Sequence, residues 1–165
     1  MLTLRAARPD DAQTIHQLIY ELAVYEKLEQ HVDATADDVA AALFGAAPRV
    51  YCDIADWRDA NGTRSVGFAL WFYNFSTFRG RHGIYLEDLF VRPEFRGHGI
   101  GKALLVQLAQ RCVRERLARL EWAVLDWNEP SRAFYRSLGA KEISEWIVNR
   151  VSGAELEALA AQTGR

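Results

Sequence analysis

The chain has 165 residues, half of them apolar, with 22 acidic and 20 basic side chains and a formal charge of −2. That length and apolar content suffice for one domain over 1–165 whose core needs no metal or disulfide support. The near balance of charge, with a pI near 6.1, argues against nucleic acid and anionic membranes as partners.

Residues 1–11 lack the apolar core of a signal peptide, and no apolar run approaches the roughly 20 residues that cross a bilayer. Cys52 and Cys112 lie far apart, which fits neither a zinc site nor a disulfide scaffold, and each recurs with apolar neighbours as a small core residue. A soluble protein of the reducing cytoplasm is expected.

In chain order, Leu2 to Ala6 alternates as a strand, and Arg8-Pro9-Asp10-Asp11 opens a helix whose apolar positions are Ile15, Leu18, Ile19 and Leu22. Thr35 is an N-cap for a second helix through Val39, Ala42 and Leu43, closed by Gly45 and Pro48. The runs 50–55 and 65–73, parted by Asp59-Ala60-Asn61-Gly62, form a hairpin. A third strand, 84–91, passes through Arg92-Pro93 into a glycine-rich segment and a helix ending near Arg116. The spacing then predicts a strand at 120–125, a short helix from Asn128 to Leu138 closed by Gly139, a further strand over 143–151, and a tail helix over 153–165. The order is α+β, with an embedded strand-loop-helix-strand unit.

Arg96-Gly97-His98-Gly99-Ile100-Gly101 lies between a strand and a helix, where free backbone N–H groups and the positive helix end can receive a phosphate. Arg96 and Ala103 stand where a Walker A loop needs Gly and Ser or Thr. Lys102 breaks the dinucleotide fingerprint G-x-G-x-x-G. A tight strand-to-helix turn is the alternative reading of the loop alone.

The pattern Arg-x-x-Gly-x-Gly at Arg96, Gly99 and Gly101 resembles the pyrophosphate signature of the GNAT superfamily. Further blocks extend the likeness over nearly the whole chain: Glu21-Leu22-Ala23 with Tyr25-Glu26, Tyr85-Leu86-Glu87-Asp88, Trp127-Asn128, and Phe134-Tyr135 with Leu138-Gly139-Ala140. Together they resemble the diamine acetyltransferases, which include spermidine/spermine and thialysine N-acetyltransferases. The resemblance implies a GNAT fold: a mixed, twisted sheet of six or seven strands flanked by helices, with central strands that splay. It also implies a homodimer with acceptor sites near the subunit interface. Acetyl-CoA would be held by Arg96, Gly97, His98, Gly99, Ile100, Gly101 and Lys102, by backbone at Leu89, Phe90 and Val91, and by Asn128 and Tyr135.

An aliphatic ammonium must lose a proton before it can attack, and a departing thiolate leaves more easily when it gains one. By resemblance Glu87 is the general base, directly or through water, and Tyr135 the acid. A salt bridge for Glu87 and a packed aromatic for Tyr135 are the plainer alternatives, and for Asn128 it is helix capping. Asp88 falls on the opposite side of an ideal strand from Glu87. Tyr25, Glu26, Glu87 and Asp88 are the expected wall of a cationic acceptor site. Ser76 and Phe78 stand where the polyamine branch has an acid and a tryptophan, so the sequence favours a short diamine or a thialysine-like amino acid. A peptide N-terminus, an aminoglycoside, or a non-catalytic CoA-binding module are the competing readings. The four histidines are too scattered for a metal set, and His98 reads as a variable loop position.

Overall fold

The computed structural model describes residues 1–162, and the end of the expected tail helix, 163–165, lies outside them. The chain forms two compact units, 1–123 and 124–165.

The first unit begins with β1 (Leu2–Ala6), α1 (Ala12–Glu26) and α2 (Ala36–Phe44), continues through β2 (Tyr51–Asp59), β3 (Gly62–Ser76) and β4 (Arg81–Val91), and closes with α3 (Ile100–Arg114) and β5 (Leu120–Trp122). These five strands make one sheet in chain order, antiparallel except for the last pair. Helix α1 buries Ile15 and Leu18 from one face and stops where Lys27 turns left-handed, at φ 62°. Thr35 caps α2 reciprocally: its hydroxyl accepts from Asp38 N, and the Asp38 carboxylate accepts from Thr35 N at 2.8 Å.

Ile15, Leu18, Val39 and Leu43 pack with Cys52, Ile54, Phe68 and Phe90 on one face of the sheet. On the other face Arg111 of α3 lies 4.8 Å over the ring of Trp71, which strand alternation sets opposite Phe68. Helix α3 buries Leu104, Leu105, Leu108 and Cys112. Burial raises both thiols above their ordinary range, so the two cysteines are inert core residues.

The second unit contains α4 (Glu129–Ser137) and α5 (Gly153–Ala160). Arg132 and Arg136 both bind Glu142, and Gly139 at φ +89° ends α4. Two sequence expectations need correction here. Among the described residues the sheet has five strands rather than six or seven, and β5 stops at Trp122. Residues 143–151 form no strand: Trp146, Ile147 and Val148 are three consecutive exposed apolar residues, whereas a half-buried strand requires alternation. No described helix is long and apolar enough to cross a membrane, and no described cluster of His, Cys, Asp and Glu could hold a metal.

Close approach between β3 and β4 fixes Gly67. A Cβ at Gly67 would lie 2.7 Å from Phe90 O and 3.3 Å from Val91 Cα, both backbone atoms. Gly67→Ala therefore forces β3 and β4 apart, and a loss of about 1–3 kcal/mol is expected in urea or thermal unfolding.

Candidate functional site

The glycine loop takes its shape from two left-handed residues. After β4, residues Pro93–Phe95 make one 3-10 turn, Arg96 is extended, and Gly97 and Gly99 adopt φ +80° and +76°. A side chain at either glycine would be strained by that backbone, yet a Cβ there would meet nothing within 4 Å. The loop is thus open on its outer side. Ala103 N is bonded to Gly99 O, so the amides of Ile100, Gly101 and Lys102 are the first-turn donors of a 15-residue helix. An extended anion flanked by Arg96 and Lys102 suits this cradle, and the pyrophosphate of CoA has that chemistry.

Contacts from distant parts of the chain hold the loop in place. Arg92 grips Glu21 of α1 through two bonds of 2.8 Å, from Nε and Nη2. Four residues further along each segment, the Arg96 guanidinium lies 4.6 Å over the ring of Tyr25, and its Nε donates to Val91 O at 3.0 Å. His98 sits edge-on against Trp57 at 5.1 Å, with Nδ1 3.2 Å from Phe95 O and 3.1 Å from Arg96 O. This gives His98 a packing role that its sequence position did not suggest. Glu21, Arg92 and Trp57 were missed as site residues because no local pattern links positions as far apart as 21 and 92.

The carboxylates are arranged by an irregularity in β4. Leu70 pairs with Asp88 and Trp71 with Leu86, so Glu87 is the extra residue of a β-bulge. The bulge changes which residues share a face. Asp88 and Phe90 follow Leu70 and Phe68 toward α1 and α2, while Leu86 follows Trp71 toward α3. Glu87 is exposed. Burial, followed by the charges of Glu87 and Glu26, pushes the Asp88 carboxyl up to about 7, and burial also raises Glu26. Three of the four expected acceptor-wall residues, Glu26, Glu87 and Asp88, therefore form one acidic cluster. Tyr25 turns its ring to Arg96 instead.

The same stretch of β4 has a free edge. The parallel ladder with β5 runs only from Ile84–Leu120 to Leu86–Trp122 and ends beside the bulge. Because Arg92 N bonds Val66 O across β3, the antiparallel alternation directs the backbone of Leu89 and Val91 away from β3, toward that edge. Phe90 faces the core with its side chain and β3 with its backbone. Of the three residues expected to meet a pantetheine arm, Leu89 and Val91 turn their backbone groups to this edge, where Val91 O accepts from Arg96.

In the second unit, Asn128 Oδ1 accepts from Ser131 N at 3.3 Å and caps α4, with Pro130 in the first turn. Tyr135 lies on the second turn of α4, its ring 5.4 Å from that of Phe134. Ser76 is buried at the end of β3, whereas Phe78 is 92% exposed on the turn that follows.

Comparison with known proteins agrees with this geometry. The family model of the acetyltransferase (GNAT) family matches residues 13–140. The thialysine N-epsilon-acetyltransferase of Bos taurus is 36% identical, over 96% of this chain and 97% of its own. The L-ornithine N5-acetyltransferase of Arabidopsis thaliana is 30% identical, over 94% of this chain and 86% of its own. A solved integron cassette protein from V. cholerae superposes with a TM-score of 0.78 at 26% identity, covering 98% of both chains.

The raised Asp88 has a consequence for stability. Between pH 4 and 7 the folded chain holds a proton on Asp88 that the unfolded chain has lost, so stability falls as pH rises across that window and then levels off. Asp88→Asn removes this penalty. Its stability relative to wild type should be unchanged at pH 4 and should rise toward pH 7 by up to about 1.4 kcal/mol per pH unit, as measured by denaturant titration.

Proposed function

Because the chain belongs to the acetyltransferase (GNAT) family, and so is an N-acetyltransferase, we propose that it acetylates the primary amine of a short diamine or a thialysine-like amino acid, with acetyl-CoA as donor. One observation carries the reading. Consecutive residues at the end of α1 serve two neighbouring sites, Tyr25 against Arg96 of the glycine loop and Glu26 beside Asp88 in the acidic cluster. A donor cradle and a cation site thus meet at one helix end. The names of the bovine and plant relatives support an amino-acid-like acceptor with a side-chain amine. So does Ser76, where a long polyamine would be met by an acid.

Acetyl-CoA supplies an acetyl group already activated as a thioester. The backbone from Gly97 to Lys102, with Arg96, would bind its pyrophosphate, and Leu89 and Val91 would pair with its arm. Asn128, beyond capping α4, is assigned a contact to the same molecule. Glu87, exposed on the bulge, takes the proton of the acceptor ammonium directly or through water. No salt bridge ties up Glu87 among the described residues. Asp88, with its pKa raised to about 7, sets the pH at which the cluster becomes fully anionic and attracts the cation. The Tyr135 hydroxyl supplies a proton to the departing sulfur. The family model runs across both units, which supports their acting as one domain. The family resemblance supports a homodimer, and two inert free thiols suit a reducing cytoplasm.

The test is steady-state kinetics on a panel of amines with acetyl-CoA. Short diamines and thialysine-like amino acids should exceed spermine in kcat/KM, and a tenfold preference for spermine, a peptide or an aminoglycoside reassigns the acceptor. With the best amine, Tyr135→Phe should lower kcat by about 10²-fold at every pH. The deficit of Glu87→Gln should shrink as pH nears the amine pKa, since free amine then needs no base. Wild-type kcat/KM should rise through about pH 7, and Asp88→Asn should abolish that inflection.

A further inference from the structure

Arg96 is exposed, and an exposed arginine ordinarily loses much rotamer freedom when it fixes a ligand. Here two contacts limit that freedom in advance. Nε donates to Val91 O at 3.0 Å, and the guanidinium carbon lies over the rings of Tyr25 and Phe90, 4.6 and 5.8 Å from their centroids. Since Nε is engaged, the two terminal amino groups are the donors that a phosphate would draw on. Tyr25 is itself held: it lies one helical turn beyond Glu21, whose paired bonds to Arg92 fasten α1 to the start of the same loop.

We propose that Tyr25 is a positioning residue for the donor: its ring pre-orders Arg96 for the pyrophosphate, so that this part of α1 sets affinity for acetyl-CoA rather than forming the acceptor wall. The assignment rests on the glycine loop being the pyrophosphate site. The role is assigned to the ring. Acceptor recognition from α1 falls to Glu26 alone.

The experiment measures CoA binding by calorimetry for wild type, Tyr25→Leu, Tyr25→Phe, Arg96→Gln and the Tyr25→Leu/Arg96→Gln pair. Tyr25→Leu should weaken CoA about three- to tenfold, the range for a lost cation–π contact plus an unconstrained side chain. Tyr25→Phe should stay within twofold of wild type. In the Arg96→Gln background Tyr25→Leu should add little, as required if the two act through one contact. The ratio of kcat/KM for acetyl-CoA to that for S-acetylpantetheine, which lacks the pyrophosphate, should fall about three- to tenfold in Tyr25→Leu, whereas a general packing defect would lower both alike and leave the ratio unchanged. The inference is overturned if Tyr25→Leu weakens CoA equally with and without Arg96, if it slows S-acetylpantetheine as much as acetyl-CoA, or if it raises the acceptor KM alone. If Arg96→Gln binds CoA like wild type, the pyrophosphate assignment of Arg96 fails, and the role of Tyr25 fails with it. Should Tyr25→Leu not fold, Tyr25→His against Tyr25→Phe makes the same comparison above pH 8, with a smaller, more polar ring replacing the phenol.

Discussion

One extra residue in β4 governs the layout of the first unit. With Glu87 bulged out, the alternation changes phase between Leu86 and Asp88, so Ile84 and Leu86 face α3 while Asp88 and Phe90 face α1 and α2. The parallel pairing to β5 ends at the same point. Without the bulge, strict alternation would keep Asp88 and Leu86 on one face, and the carboxylate could not lie beside Glu26 while Leu86 stays in the core. Bulges bend the strand that carries them and increase its twist, which is what a strand needs if its end is to part from a neighbour. The free edge at Leu89 and Val91, the exposed Glu87 and the half-buried Asp88 are consequences of this one irregularity.

The end of α1 then joins two chemistries of opposite sign. Cationic groups, Arg92 and Arg96, meet Glu21 and Tyr25 along one line of the helix, while Glu26, next in the chain, faces the acidic residues of β4. Arg92 is neutralised by a bidentate partner, whereas Arg96 is held by an aromatic ring and keeps its full charge. That difference suits a pair in which one arginine fastens the loop and the other meets an anion. Aromatic support recurs at His98, which leans on Trp57. A loop with two left-handed glycines and no side chain filling its outer face needs such outside contacts to keep one conformation.

The protein's own residues also separate a tuned carboxylate from an accessible one. Asp88 is half-buried and holds its proton to about pH 7, and its neighbour Glu87 is open to solvent. Two adjacent acids thereby differ in environment, the usual way in which like groups come to differ in role. Their proximity also costs stability, which the packing of Ile15, Leu18, Phe68 and Phe90 beneath them must offset.

By itself the sequence determined the elements and the chemistry they carry. Apolar spacing placed α1, α2, α3 and the β2–β3 hairpin, because periodicity and capping are local properties: Thr35 with Asp38 and Asn128 with Ser131 act within three residues. The glycine loop was legible for the same reason, since Gly97 and Gly99 are required by backbone conformation. The strand expected at 143–151 was not found, because an apolar segment becomes a strand only when another strand pairs with it. Only the tertiary structure decided that Glu87 is bulged and exposed, that Asp88 is half-buried, and that Tyr25 faces Arg96. Each of those depends on register or on contacts between residues far apart in the chain, for which a linear pattern contains no signal.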